Sequence, residues 1–109
     1  MGRSAAKVKS FEDLRVFQEA RTLASHIYAL TRSNQLSQDF ALVDQMRRSA
    51  LSVLSNIAEG FERETDAEFV RSLYLAKGSC RELRAQALLA WDQKFMTKDE
   101  HEEIRSLCR

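Results

Sequence analysis

The sequence predicts an all-α protein with the architecture of an antiparallel, up-down four-helix bundle. The 109 residues include no proline and only three glycines, whereas β folds need turn residues every few positions. Apolar side chains recur at intervals of three and four residues in four segments, as they do in helices that bury one face. Short connections separate these segments, and helices joined in this way pack antiparallel by default. We expect a mobile tail over residues 1–9 and one bundle domain over residues 10–109.

The first helix is predicted to begin near Ser10, whose hydroxyl suits the N-cap position, and to end within residues 32–35. The acidic side chains of Glu12 and Asp13 fit the positive end of the helix dipole. One apolar stripe follows at helical spacing and consists of Val16, Ala20, Leu23, Ile27 and Leu30. Serine and asparagine at residues 33–34 then favour a turn.

The second helix is predicted to begin within residues 37–39 and to end near Gly60. Its apolar stripe consists of Leu42, Met46, Ala50, Val53 and Ile57. Further apolar residues flank this stripe, so the apolar arc covers about half of the cylinder, more than the roughly 100° of an ordinary surface helix. The neighbouring helices of one bundle would leave part of such an arc exposed, which indicates a partner outside the chain.

Two threonines mark the starts of the third and fourth helices. Thr65 with Glu68 and Thr97 with Glu100 match the capping box, in which the threonine and the glutamate each accept from the other's backbone. The third helix then carries the stripe Phe69, Leu73, Ala76, Cys80, Leu83 and Ala87. The fourth helix spans only about three turns, and a helix this short needs tertiary packing to be stable.

Charge and hydropathy argue against two classes of protein, dedicated nucleic-acid binders and membrane proteins. The net charge is +1, from 17 basic and 16 acidic side chains, whereas dedicated nucleic-acid binders carry a clear basic excess. A nucleic-acid role would therefore need local separation of charge. No apolar run approaches the ~18 residues that span a bilayer, so we expect no membrane partner. Two cysteines and a start that does not resemble a signal peptide predict a reduced, cytoplasmic protein.

The residues that carry chemistry in helical bundles do not occur at the required positions. Di-iron bundles use Glu-x-x-His pairs, but the residue three before His26 is Leu23 and the residue three before His101 is Lys98. Cys80 belongs to an apolar stripe, where a thiol is expected to be inert packing. The sequence has no glycine-rich phosphate loop and no dinucleotide fingerprint. We therefore predict no catalytic residue, no metal, no cofactor and no enzymatic activity.

The polar side of the second helix suggests a contact between subunits. Small side chains such as Ser49 and Ser52 let another helix approach, and Asn56 and Glu59 would hydrogen-bond across that contact. The alternative is a solvent-facing side, but serine is a mediocre helix former where it is exposed. The predicted oligomer interface consists of Arg47, Leu51, Ser52, Ser55, Asn56 and Glu59.

Basic residues form a second candidate surface. Lys77, Arg81 and Arg84 project within a narrow arc of the third helix, beside a tyrosine, as expected of an RNA contact with a stacking aromatic. The alternative is a solvated face with intrahelical pairs such as Glu59 with Arg63, which the balance of acidic and basic residues favours. The candidate nucleic-acid contacts are Arg47, Arg48, Lys77, Arg81 and Arg84.

Five motifs in a fixed order resemble a bacterial family of small four-helix bundle proteins. They cover residues 11–17 (FEDLRVF), 45–50 (QMRRSA), 55–61 (SNIAEGF), 68–69 (EF) and 73–79 (LYLAKGS). The family is encoded within intervening sequences of 23S ribosomal RNA genes and is often labelled ribosomal-protein-like. Each motif is weak alone, whereas the ordered set is specific and extends from residue 11 to the end of the sequence.

The resemblance implies a bundle that assembles into a ring-like homopentamer, and its genomic context implies association with RNA or the ribosome. It supplies no catalytic residues. Relatives often have proline where this chain has Leu54, so we expect the second helix to run without a proline kink. Relatives also tend to have a longer fourth helix than the one predicted before Arg109. C-terminal contacts of the implied pentamer are therefore not carried over.

These observations rank three hypotheses of function. The first is a non-enzymatic, cytoplasmic homo-oligomer, a pentamer by resemblance, that acts as a scaffold or adaptor. The second is RNA or ribosome binding by a basic stripe that the ring repeats, which strengthens a weak local field. The third is a small-ligand or enzyme site between subunits, with Arg48, Asn56 and Glu59 as its polar groups.

Overall fold

Four α-helices and two short 3-10 turns make up residues 10–33 and 35–108, the part of the chain that the computed structural model describes. No strand occurs in these residues, which confirms the all-α class. The tail predicted over residues 1–9 lies outside the described part. The helices are α1 (Arg15–Thr31), α2 (Phe40–Phe61), α3 (Asp66–Asp92) and α4 (Lys98–Leu107), and the 3-10 turns are Phe11–Asp13 and Gln35–Gln38.

The first α-helix begins at Arg15, so the prediction of a helix capped by Ser10 was wrong. Ser10 precedes the first 3-10 turn and makes no side-chain cap bond, and an extended residue separates that turn from α1. The turn places the ring of Phe11 edge-on against the ring of Phe17, with centroids 4.9 Å apart. Phe17 is therefore buried, whereas Val16, predicted to open the buried stripe, is exposed.

The other three helices begin at the caps that the sequence indicates. The side chain of Asp39 caps α2. Thr65 Oγ1 accepts from the backbone of Glu68 at 3.1 Å, without the reciprocal bond of a full capping box. Thr97 forms the full box, because its Oγ1 accepts from the backbone of Glu100 and its backbone N–H donates to the Glu100 carboxylate at 2.8 Å.

Two apolar clusters form the core. The larger draws side chains from all four helices and includes Leu23, Ile27, Met46, Leu83 and Ile104. Burial of Ile104 supplies the packing that the short α4 requires. The smaller cluster joins the start of α1 to the end of α2 and consists of Phe17, Ala20, Val53, Ile57 and Ala76. Leu54 packs against it, and α2 runs through this position without interruption, as predicted.

Small residues set the separation of α2 and α3, the pair with the most extensive contact in the chain. A Cβ atom at Gly60 would overlap the Cβ of Ser72 and lie 2.7 Å from its Oγ. Ser49 and Ser79 are also buried. The serine-bearing flank of α2, predicted to meet another subunit, is therefore covered by α3 of the same chain.

Candidate functional site

Ser52 and Asn56, two of the predicted interface residues, form hydrogen bonds within the chain. The Asn56 side-chain amide donates to the carbonyl oxygen of Ser52 at 2.8 Å and to its Oγ at 3.1 Å. From α3, Ser79 Oγ donates to Ser52 Oγ at 2.7 Å. The structure thus places Asn56 in a network that joins α2 to α3, and its predicted bond across subunits stays a prediction.

Arg47 also has its partners inside the chain. Its Nε donates to Thr31 Oγ1 at 2.8 Å, and its guanidinium carbon lies 4.4 Å from the centroid of the Tyr28 ring. Both partners belong to the last turn of α1, and Thr31 is buried. Arg47 therefore links α2 to α1 within the chain, and its predicted contacts with another subunit and with RNA stay predictions.

The remaining predicted interface residues form an outward surface, the α2 outer patch, defined as Leu51, Ser55 and Glu59. All three are exposed, and Leu51 retains 42% of its accessible surface. Glu59 lies 3.5 Å from the guanidinium of Arg63, the intrahelical pair that the sequence predicted. The patch combines one apolar side chain, Leu51, with two polar ones and faces away from α1 and α3.

A second outward surface, the α3 outer patch, lies on the first half of α3 and consists of Val70, Tyr74, Leu75 and Gly78. Val70 is 50% exposed and Tyr74 71% exposed. A Cβ atom built at Gly78 would meet nothing within 4 Å. The sequence placed Leu75 off the buried stripe, but exposure of the whole patch follows only from the way α3 packs.

The polar groups predicted for a small-ligand site between subunits do not meet in one place. Arg48 pairs with Asp44 on the exposed side of α2 at 2.8 Å. Asn56 bonds Ser52 on the side that meets α3, and Glu59 pairs with Arg63. Within one chain, these groups therefore do not form a common pocket.

Two of the five predicted nucleic-acid contacts come together with residues from α4. Arg81 and Arg84 line a cleft between the second half of α3 and α4, the α3–α4 cleft, which has a volume of about 600 Å³. Arg105 of α4 lines the opposite wall and lies 3.7 Å from Glu102. Lys77 lines a different cavity, one turn earlier. No sequence pattern singles out Arg105, because its distance from Arg81 depends on how α4 folds back.

Aromatic residues form one end of the α3–α4 cleft. The rings of Trp91 and His101 stack with centroids 4.6 Å apart and planes 29° from parallel. His101 is only 5% exposed, and its Nδ1 is buried with no hydrogen-bond partner among the described residues. Leu88 contributes an exposed apolar side chain to the same cleft. The cleft thus combines guanidinium groups with a flat, largely apolar surface.

The two cysteines lie side by side, although they are far apart in sequence. The thiols of Cys80 on α3 and Cys108 after α4 are hydrogen-bonded, which lowers the pKa of Cys80 to about 7 against the opposing effect of burial, with help from the charge of Arg84. The same bond raises the pKa of Cys108, and burial adds to that rise. Cys80 is only partly buried. The expectation that Cys80 is inert packing therefore does not fit its environment.

Residues 10–33 and 35–108 contain neither a metal-binding group nor a membrane-spanning helix. No three histidine, cysteine or acidic side chains gather in a way that would hold a metal ion. No helix in this part combines the length and the apolar content that crossing a bilayer requires.

Comparison with known families decides what this helical chain is related to. The family described as 23S rRNA-intervening sequence protein matches residues 12–109, which include all four helices. The chain belongs to this family. The resemblance predicted from the five ordered motifs is thereby confirmed, including the motif at residues 55–61 that ends α2.

A solved structure shares the fold of this 23S rRNA-intervening sequence protein. It is the crystal structure of a protein of unknown function from the S23 ribosomal protein family of Bacteroides thetaiotaomicron. The two chains align with a TM-score of 0.76 over 85% of this chain and 87% of the other, at 22% sequence identity. At this identity the similarity establishes the fold alone. No curated protein matches the chain.

Proposed function

We propose that this 23S rRNA-intervening sequence protein is a non-catalytic, cytoplasmic scaffold that works as a homo-oligomeric ring, a pentamer, built from up-down four-helix bundles. The observation that carries the proposal is the presence of two outward surfaces on different helices, each with an exposed large apolar or aromatic side chain. A ring closed by rotation is built from head-to-tail contacts, in which each subunit uses two different surfaces. The α2 outer patch of one copy would meet the α3 outer patch of the next.

The α3 outer patch has the composition of a contact surface. Full burial of a large apolar side chain such as Val70 contributes about 1.5–3 kcal/mol. Tyrosine, which is enriched at protein interfaces, lies most exposed at the centre of the patch as Tyr74. A glycine within a helix costs roughly 0.5–1 kcal/mol relative to alanine, and no contact inside the chain requires glycine at position 78. Close approach by the backbone of a second copy would explain it.

Size-exclusion chromatography with light scattering tests the assembly. We expect wild-type protein at tens of micromolar to have several times the 12.5 kDa mass of one chain. Leu51→Glu and Tyr74→Glu each place a charge in one patch and should each give monomers. Because each variant keeps the other patch intact, their mixture should form a one-to-one complex. Ser25→Glu, on the exposed side of α1, is the control and should assemble as wild type.

Two results would contradict the proposal in different ways. A wild-type mass of 12.5 kDa would exclude self-assembly. If the wild type assembles but the two variants remain monomeric when they are mixed, contact between two different patches is excluded. That result would favour an interface in which each surface meets its own copy. Circular dichroism of each variant must show wild-type helicity, which the exposure of both positions favours.

A second candidate function is association with RNA, and the α3–α4 cleft favours it. Arg81, Arg84 and Arg105 converge there although the net charge of the chain is only +1. Affinity that arises from phosphate contacts falls steeply as salt is added. We expect a labelled, structured RNA with single-stranded loops to bind at low salt and to dissociate as salt rises. Absence of binding at low salt, or affinity that does not depend on salt, would exclude this function.

A further inference from the structure

The α3–α4 cleft concentrates positive charge that the chain does not neutralise. Arg81 and Arg84 form no ion pair with any described carboxylate, and only Arg105 has one, with Glu102 at 3.7 Å. Three guanidinium groups and one carboxylate therefore line the cleft. The planar fork of arginine donors matches the oxygens of a phosphate group. This wall of the cleft suits a phosphate-bearing ligand.

The other end of the cleft suits a flat ring. Trp91 stacks on His101, and the exposed Leu88 extends the apolar surface beside them. His101 is 95% buried yet its Nδ1 has no partner among the described residues, so hydrogen-bonding capacity remains unused at this end. The volume of about 600 Å³ lies within the range of cavities that hold small ligands. In complexes with single-stranded RNA, nucleobases stack on aromatic side chains such as tryptophan.

We propose that the α3–α4 cleft binds one unpaired nucleotide of an RNA strand, with the base against Trp91 and Leu88 and the phosphate between Arg81 and Arg84. The inference rests on the RNA association proposed above and deepens it by naming the site and the part of RNA that is read. It predicts a preference for single-stranded over fully paired RNA, because a paired base is not free to stack in the cleft.

The fluorescence of Trp91 reports on this site directly, because it is the single tryptophan of the chain. Four probes distinguish which kind of molecule the cleft binds. They are a single-stranded RNA hexanucleotide, the same strand in a duplex, a nucleoside monophosphate, and inorganic phosphate. We expect saturable quenching by the hexanucleotide, weaker quenching by the monophosphate, and little effect of the duplex or of phosphate alone. Anisotropy of the labelled hexanucleotide measures binding independently of quenching.

Matched variants test the two ends of the cleft. Arg81→Gln/Arg84→Gln should reduce the slope of log affinity against log salt by about 0.7, since the two side chains hold one phosphate and each phosphate contact on a single strand contributes roughly this amount. Trp91→Leu should weaken anisotropy-detected binding about tenfold, since stacking on an aromatic contributes this much or more. Arg21→Gln/Arg32→Gln removes the same charge from exposed positions on α1 and at its C-terminal end and should bind as wild type. Circular dichroism verifies that every variant is folded.

Each alternative outcome contradicts the inference in a distinct way. RNA binding that Arg81→Gln/Arg84→Gln leaves unchanged, or that occurs without quenching of Trp91, would overturn the site while leaving RNA association intact. Equal binding of duplex and single strand would overturn recognition of an unpaired nucleotide. Quenching by the monophosphate but not by the hexanucleotide would exclude RNA as the source of the nucleotide. No binding of any RNA would overturn both proposals.

Discussion

Ser79 Oγ donates a hydrogen bond to Ser52 Oγ across the α2–α3 contact, at 2.7 Å. The Ser52 oxygen also accepts from the amide of Asn56, so one hydroxyl serves two donors. Ser79 is buried and Ser52 is partly buried. A polar group in such a position is expensive to leave without a partner, which makes this pair a sensitive point in the packing of α2 on α3.

We predict that Ser52→Ala lowers the free energy of unfolding by about 1–3 kcal/mol, because it leaves the buried Ser79 hydroxyl without its acceptor and removes one of the two bonds of Asn56, which keeps its bond to the Ser52 carbonyl. Ser79→Ala should lower it less, since only one bond is lost. The double variant should lose less than the sum of the single losses, as expected of residues in one network. Urea denaturation measures all three. Ser55→Ala, on the exposed side of α2, should stay within about 0.5 kcal/mol of wild type, and a similar loss there would contradict the assignment.

The two helical glycines should respond in opposite directions to alanine. Gly60→Ala should lower the free energy of unfolding by about 1–3 kcal/mol, because the new methyl group would overlap Ser72. Gly78→Ala should raise it by roughly 0.5–1 kcal/mol, because a methyl group there meets nothing within the chain and alanine favours the helix. Measuring Gly78→Ala in the Tyr74→Glu background removes the contribution of assembly. Stabilisation by Gly60→Ala would show that α2 and α3 leave room for a methyl group beside Ser72.

The adjacent residues Arg47 and Arg48 should differ in their effect on stability. Arg47→Ala loses a hydrogen bond to a buried hydroxyl and a cation–π contact, and we expect a loss of about 1–2 kcal/mol. Arg48→Ala loses an ion pair with Asp44 whose partners are largely exposed and screened by solvent, and we expect no measurable change in stability. Thermal unfolding followed by circular dichroism compares the two. Equal losses would mean that the contact of Arg47 with α1 does not stabilise the fold.

Replacing Lys94 by glycine should stabilise the fold. Lys94 follows α3 with a φ of 64°, and the bonds from the backbone of Lys94 to Trp91 and of Phe95 to Ala90 close a Schellman motif. Because a side chain is disfavoured in the left-handed region, Lys94→Gly should raise the free energy of unfolding by about 1 kcal/mol. Lys94→Ala keeps a Cβ atom and is the control, expected to match wild type. A gain for alanine equal to that for glycine would exclude backbone strain as the cause.

Cys80 should react with iodoacetamide at a lower pH than an ordinary thiol. Its hydrogen bond with Cys108 lowers its pKa to about 7, and the thiolate is the reactive form. The rate of alkylation should therefore rise around pH 7, whereas for a free cysteine it rises around pH ~8.5. Cys108→Ala removes the donor and should move this rise to higher pH. Mass spectrometry identifies the modified residue, and an unchanged profile in Cys108→Ala would show that Cys108 does not lower the pKa.

The local features of this protein could be predicted from its sequence because they depend on neighbouring residues. The capping box of Thr97 and Glu100 spans three residues, and the core positions Ile27, Met46 and Leu83 follow from helical spacing. The prediction failed at Ser10, since a serine that suits a cap does not show whether an α-helix or a 3-10 turn follows.

The partners of the polar residues were decided only by the tertiary structure. The sequence marks Ser52 and Asn56 as unusual on a helix, but whether α3 or another subunit covers them depends on how α3 returns along α2. In the same way, Arg81 and Arg105 meet across the α3–α4 cleft only because the turn at Lys94 folds α4 back onto α3. Helix type and buried face are set by contacts within a few residues, whereas a site built from two helices depends on their relative placement. The sequence by itself thus determined the four helices and the family, and the tertiary structure decided which side chains remain outward for a partner.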